Sequence, residues 1–187
     1  MKRAQDRQVV VGADFAGFVL KEHVKRHLES RGWEVTDLTP DRDDLPMYHR
    51  VGFRVGSQLA EGAFDKALAF CGTGMGIHVA ASKCPHVHAA VAETVPAARR
   101  AAAANNCNLL AMGGFFIAPR LGMAMADAFL DTSLGDGYED WEGFYEYHRV
   151  GYQECEDFDY ATYRANGFAV PDATVPPLGP EPRGLAF

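Results

Sequence analysis

The chain has 187 residues, of which 48% are hydrophobic and 23% charged, with a formal net charge of -7. That length and balance suit one globular domain with an appended tail, and they exclude a chain disordered throughout. The acidic overall field disfavours nucleic acid as a partner. No apolar run approaches the ~20 residues that a membrane-spanning helix requires.

The first residues, MKRAQDRQVVVG, carry charge and only a short apolar stretch, so no secretory signal is expected. Cys71, Cys84, Cys107 and Cys155 form no CxxC pair. In a chain of this size they read as reduced thiols of a cytoplasmic protein.

Residues 8–12 (QVVVG) predict a strand, and Ala16 to Ser30 follows with helical spacing until Arg31-Gly32 stops it. WEVTDL alternates as a second strand does, which completes a parallel crossover unit of about thirty residues. Pro46 opens a second helix that runs to about Gly62. KALAFC (66–71) is a continuous apolar run, as in a central strand covered on both faces. A short helix is expected over 75–82, a strand over 86–91, an alanine-rich helix over 97–104, a strand over 108–113, and a helix from Pro119 to Leu130. Five strands separated by helices predict an α/β fold: a doubly wound, five-stranded parallel sheet, Rossmann-like, in three layers. Ligands of such sheets sit outside the carboxyl ends of the strands.

After residue 135 the composition changes. Nine aromatics from Tyr138 to Tyr163 stand among carboxylates, and half of the ten prolines fall within 171–182. Aromatic density of this kind calls for burial, and the prolines exclude helix or central strand. The chain thus divides into an α/β core, 1–135, and a helical and extended arm, 136–187, packed on the core or on a partner subunit.

The sharpest chemical feature is Cys71-Gly72-Thr73-Gly74-Met75-Gly76, where a buried strand becomes a helix. Alternating glycines let main-chain N–H groups converge into an anion nest. The helix start adds positive potential. A cysteine beside such a nest is disposed to react as thiolate, and Thr73 adds a hydroxyl. The bland alternative is a tight turn beside an inert buried thiol. A Walker loop is excluded because no lysine follows, and the dinucleotide fingerprint needs another spacing after the first strand.

Asp14, in Gly12-Ala13-Asp14-Phe15-Ala16-Gly17, falls on the same sheet edge as Cys71; it is a helix N-cap, a site residue, or both. Asn105-Asn106-Cys107-Asn108 reads as a turn or as ligand-binding amides. His148-Arg149 caps a helix or binds an anion. Cys84, His86 and His88 share too little spacing with a third ligand to argue for a metal.

In this order the pieces resemble the type-B ribose-5-phosphate isomerase family, which includes the galactose-6-phosphate isomerase subunits. The resemblance is carried by GADFAGFVLKEHVKRHLESRGWEVTDL, AFCGTGMGIHVAASKCPHVHAAV, ARRAAAANNCNLLAMGG and MADAFL, from about Val9 to Leu130. It implies interconversion of a phosphorylated aldose and ketose through an enediolate, with no metal and no cofactor. Cys71 would be the base, with Thr73 and Asp14 managing protons on the sugar oxygens. Phe15, Gly72, Gly74, Met75, Gly76, Asn105, His148 and Arg149 would line the substrate. One family subtype uses a glutamate just after the glycine loop, where this chain has Ile77.

Several positions depart from the family pattern. Phe15 and Ala104 stand where members carry histidine, and Phe115 where an arginine helps hold phosphate. These changes shift the expected substrate from ribose 5-phosphate towards a four-carbon sugar phosphate. The resemblance also implies an active site between two subunits, hence a homodimer or a dimer of dimers. Two other classes stay open: a non-catalytic sugar-phosphate-binding protein using the same nest, and a transferase with Cys71 as nucleophile.

Overall fold

The computed structural model describes residues 7–170 and 177–182. In chain order it contains β1 (Gln8–Ala13), α1 (Phe18–Ser30), β2 (Glu34–Asp37), α2 (Tyr48–Ala60), β3 (Ala67–Cys71), α3 (Met75–Ala81), β4 (Ala89–Val91), α4 (Val95–Ala103), β5 (Leu109–Gly113), α5 (Pro119–Leu130), α6 (Phe144–Glu156) and α7 (Tyr160–Ala165). The expected α/β sheet is present. All five strands are parallel, in the order β2-β1-β3-β5-β4.

Every residue of β3 and β5 is buried, which is why their sequences are continuous apolar runs rather than alternating ones. On one face Phe70, Leu68, Leu110 and Met112 meet α1, α4 and α5 through Leu20, Val24, Ala98, Ala102, Met125 and Phe129. On the other, Ala67, Ala69, Leu109 and Ala111 meet α2 and α3 through Val51, Val55, Ile77 and Ala81. Each large apolar side chain so buried contributes about 2 kcal/mol.

The chain leaves β1 towards β2 on one side and returns to β3 on the other. The two strands are neighbours, so their carboxyl ends flank a topological switch point, where a crevice opens between diverging loops. Fully buried Lys21 pins this corner. Its Nζ reaches Asp37 Oδ2 (2.7 Å) and the Thr39 carbonyl (2.6 Å), while Thr39 Oγ1 accepts from Ala13 N (2.9 Å).

Several elements differ in extent from the sequence expectation. The second helix begins at Tyr48, not Pro46, because Met47 keeps an extended conformation. The strand expected over 86–91 shrinks to Ala89–Val91, because His86 takes φ +62° and breaks the extended run. Helix α4 starts early, at Val95, where Thr94 accepts from Ala97 N and Pro96 fits the first turn.

Of the C-terminal aromatics, Tyr138 and Phe144 are buried and stacked, with centroids 4.2 Å apart, against Ala103 and Ala104. Tyr145, Tyr147, Phe158 and Tyr160 stay exposed, so the expected burial holds only for part of the set. Leu178 joins the same cluster, and Trp141 Nε1 donates to the Gly179 carbonyl (2.7 Å), tying the chain's end to the start of α6. Residues 171–176, which carry two of the five late prolines, lie outside the described residues. No helix among the described residues is long and apolar enough to cross a membrane.

Candidate active site

Three loops meet at the carboxyl ends of β1, β3 and β5. The loop after β3 is the glycine turn. Gly74 adopts the left-handed conformation (φ +76°) and directs its N–H at Cys71 Sγ, 3.2 Å away. A side chain at Gly74 would be strained there, and the reversal it permits brings the amide back over the sulfur. The thiol therefore faces the turn. Cys71 keeps only 4% of its surface and lies beneath the turn. Met75 N donates to Thr73 Oγ1 (3.3 Å), fixing that hydroxyl inside the loop. The amides of Gly76 and Ile77 precede the first α3 hydrogen bond, from His78 N to Gly74 O, so helix geometry leaves them without an intrahelical acceptor.

The loop after β1 brings Asp14 to the same edge. Its N–H donates to Phe70 O (3.1 Å), and its Oδ1 accepts from Gly17 N (2.9 Å). Asp14 thus closes the turn ahead of the helix, and Gly17 rather than Asp14 is the N-cap of α1. Close approach explains Gly17: a Cβ there would lie 2.4 Å from the carbonyl carbon of Phe70. Phe15 projects outward, 74% exposed.

The loop after β5 completes the group. Gly114 N donates to Cys71 O (2.8 Å) and Phe115 N to Gly72 O (2.9 Å). The Phe115 ring lies over Gly72, where a Cβ would meet its Cε2 at 2.5 Å. The Tyr48 ring lies likewise over Gly76, at 2.7 Å. Sequence reasoning passed over Tyr48. The available signal was its place, in the first turn of the helix that follows the second strand's carboxyl end.

Asn105, His148 and Arg149 are elsewhere. Asn105 precedes β5, while Cys71 pairs with Gly113 at that strand's far end. Five residues of strand put them at least about 13 Å apart. Asn105 is exposed and shares a cavity of about 400 Å³ with His148, Tyr152, His88, Cys107 and Cys155. His148 rests on the Phe144 ring, 4.3 Å between centroids. Burial and the nearby Arg100 push its imidazole below the ordinary value, against a hydrogen bond to the Ala104 carbonyl. Arg149 Nε is held by Glu146 (2.8 Å). The structure therefore divides the expected site residues between opposite edges of the sheet.

The other two asparagines of the 105–108 motif are structural. Asn106 supplies a left-handed turn (φ +48°). Asn108 clamps the approach to β4, accepting from His88 N (2.9 Å) and donating to His86 O (2.7 Å). His86 and His88 both pair with Glu156, at 2.7 and 2.6 Å. Burial opposes ionisation of Glu156, but these hydrogen bonds hold its carboxyl below the usual range. Cys107 sits in an apolar site that pushes its thiol up to about 11, so it is inert. All four cysteines are free, and among the described residues no three His, Cys, Asp or Glu side chains are grouped to hold a metal.

Comparison with known proteins places this architecture. The model of the Ribose/Galactose Isomerase family matches residues 9–141. The 4-deoxy-4-sulfo-D-erythrose isomerase of Clostridium sp. (strain MSTE9) is 38% identical over 135 residues, covering 72% of this chain and 85% of that protein. The D-erythrulose-4-phosphate isomerase of Pectobacterium atrosepticum is 30% identical over 130 residues, covering 69% and 86%. Among solved structures, Clostridium thermocellum ribose-5-phosphate isomerase B superposes with a TM-score of 0.71 at 27% identity, covering 80% of this chain and 95% of that one. With a family model matched over most of its length and a sheet of the same fold, the chain belongs to the ribose/galactose isomerase family and is an enzyme of the sugar-phosphate isomerase class.

Proposed function

We propose that the chain interconverts the aldose and ketose forms of a four-carbon sugar phosphate, without a cofactor, using Cys71 as the base. The observation that carries this reading is the Gly74 N–H directed at Cys71 Sγ, 3.2 Å away, in a glycine turn on the ligand-binding edge. The sulfur takes the proton from C2 of the aldose, and the electron pair left behind moves through C1 onto the carbonyl oxygen. The enediolate so formed collapses to the ketose as the same thiol returns the proton to C1. The two sugars are isomers, so no oxidant or reductant enters. Negative charge developing on O1 and O2 faces the turn amides and the Thr73 hydroxyl. Asp14 relays the hydroxyl proton between the two oxygens.

Four carbons are favoured by the tetrose-acting relatives and by the phenyl groups of Phe15 and Phe115, which bring no polar atom to a longer sugar. Asn105, His148 and Arg149 complete the site of a second copy in a homodimer or dimer of dimers. Support comes from their distance from Cys71 and from the exposed Phe15, Met75, Phe115 and Phe116, an apolar group that gains by being covered. The Arg149–Glu146 pair is exposed and weak, so the guanidinium is free to exchange onto a phosphate. Four free thiols suit a reducing cytoplasm.

The test is proton exchange followed by NMR in deuterated buffer, over four-, five- and six-carbon sugar phosphates and 4-deoxy-4-sulfoerythrose. Deuterium should enter beside the carbonyl, fastest with a four-carbon substrate, and Cys71→Ala should abolish it. Binding without exchange would instead favour the non-catalytic reading, and best turnover of ribose 5-phosphate would refute the four-carbon assignment.

A further inference from the structure

The glycines that open and close the Gly72–Gly76 turn are each covered by an aromatic ring, Phe115 over Gly72 and Tyr48 over Gly76. Their glycine identity thus serves the rings as well as the nest, since a Cβ at either position would collide with the ring above it. The two rings are held differently. Tyr48 hangs from α2 and carries a hydroxyl. Phe115 is tied to the turn itself, through Phe115 N to Gly72 O (2.9 Å) and Gly114 N to Cys71 O (2.8 Å). Behind it, a Cβ on Gly113 would lie 2.8 Å from the Thr73 carbonyl carbon, so main chain backs directly on main chain. The base of the Phe115 ring therefore cannot recede from Cys71 by a loop movement. Yet the residue is 71% exposed. The ring touches the turn at Gly72, and most of the residue's surface is exposed beside it.

We infer that Phe115 is a specificity-determining residue, a wall that sets the length of sugar the site accepts. The inference rests on the reading that the sugar's reacting carbons lie over Cys71. Beyond those two carbons, a tetrose with a terminal acid group carries one free hydroxyl, and a pentose carries two. A phenyl ring has neither donor nor acceptor for the second hydroxyl, and it displaces the water that would serve it. Sites discriminate most strongly through polar groups left unpaired, so the longer sugar is rejected by chemistry as well as by length. Tyr48 on the opposite side has a hydroxyl to offer and imposes no such penalty.

The test uses two sugar alcohols that cannot isomerise, erythritol 4-phosphate and ribitol 5-phosphate, titrated calorimetrically into the full-length protein. Wild type should bind the four-carbon compound at least about tenfold more tightly. Phe115→Ala should bring the two affinities within about threefold, by strengthening the five-carbon compound, since a methyl no longer bounds the space. Phe115→Leu keeps an apolar contact with Gly72 and safeguards against misfolding; it should fall between the two. An affinity ratio unchanged in both variants, or a wild type that prefers ribitol 5-phosphate, overturns the inference. These outcomes are separate from the reaction itself: loss of the ratio effect with Cys71-dependent exchange intact removes only the wall. Exchange that survives in Cys71→Ala removes the proposed base, and failure of wild type to bind either alcohol overturns the wall, with the exchange experiment still deciding the base.

Discussion

The two edges of the sheet differ in how much side chains contribute to joining their loops. At the carboxyl edge, the loops after β1, β3 and β5 are joined main chain to main chain, through Asp14 N–Phe70 O, Gly114 N–Cys71 O and Phe115 N–Gly72 O. Glycines make this possible, because Gly17, Gly113 and Gly114 leave no room for a Cβ. At the amino edge main-chain joints such as Asn108 N–His88 O and Ala67 N–Asn108 O are supplemented by side chains: Asn108 across to His86 and His88, Glu156 bridging the same two histidines, and His148 on the Ala104 carbonyl. The first edge is closely packed around Cys71 and Asp14 and is intolerant of added atoms. The second carries titratable side chains, His148 and Glu156, whose ionisation its packing shifts.

That contrast breaks most sharply at Cys71. Cys71→Ala should lower turnover by about 10³-fold or more, since proton transfer has no other thiol on that edge. Its thermal midpoint should stay near the wild-type value, because a small apolar side chain fills most of the same volume. A variant retaining even a tenth of the activity would remove the sulfur from the chemistry.

The next effect is on stability and compares one glycine from each region. Gly17→Ala forces a methyl against the Phe70 main chain and should cost about 3 kcal/mol in denaturant unfolding. Gly151 lies inside α6 with nothing near its missing Cβ, so Gly151→Ala should stabilise that helix by about 0.5–1 kcal/mol. Equal responses at the two positions would contradict the difference in packing between the two regions.

A smaller effect concerns acid. His148 is pushed below its ordinary value of 6.5 by burial and by Arg100, so the docked state favours the neutral ring. Its contribution is complete above about pH 6.5 and fades as pH falls through the lowered value. Glu156 has the same sign at lower pH: its contribution is present above its ordinary 4.5 and is lost as pH drops through the depressed value. Hydrogen exchange of α6 amides should therefore accelerate, relative to β3, between pH 7.5 and pH 5. Glu156→Gln should loosen α6 by about 1 kcal/mol at pH 7 and leave β3 protected. Uniform acceleration across sheet and helix would mean that α6 is not a separate responsive element.

The two edges were also unequally legible in sequence. The buried strands β3 and β5 announce themselves as unbroken apolar runs, and CGTGMG after the third strand marks both the turn and the sulfur within it. Topology then places Asp14 beside Cys71 with no further information. What spacing does not carry is lateral contact between loops. Phe115 reads along the chain as a residue lacking charge, and only the folded loop puts its ring on Gly72. Tyr48 looks like a surface position of an amphipathic helix. The amino edge was harder still. His86-Val87-His88 alternates as a strand would, but Asn108 and Glu156 draw the two histidines into a turn from 20 and 70 residues away. The resemblance implies one site for Asn105 and Cys71, although the expected strand over 108–113 already puts Asn105 at its amino end and away from the carboxyl edge that holds Cys71.

That separation allows a direct test of the central proposal, a site shared between two copies with Cys71 from one and Asn105 from the other. Cys71→Ala and Asn105→Ala chains, each of low activity alone, are unfolded together, refolded in equal amounts and assayed. If each site draws on both chains, half of the dimers are mixed and each of these contains one intact site, so activity should return to about one quarter of wild type. If both residues serve the same chain's site, every site in the mixture is defective, and activity that stays at the level of the separate variants, with mixed dimers demonstrably formed, would contradict the account.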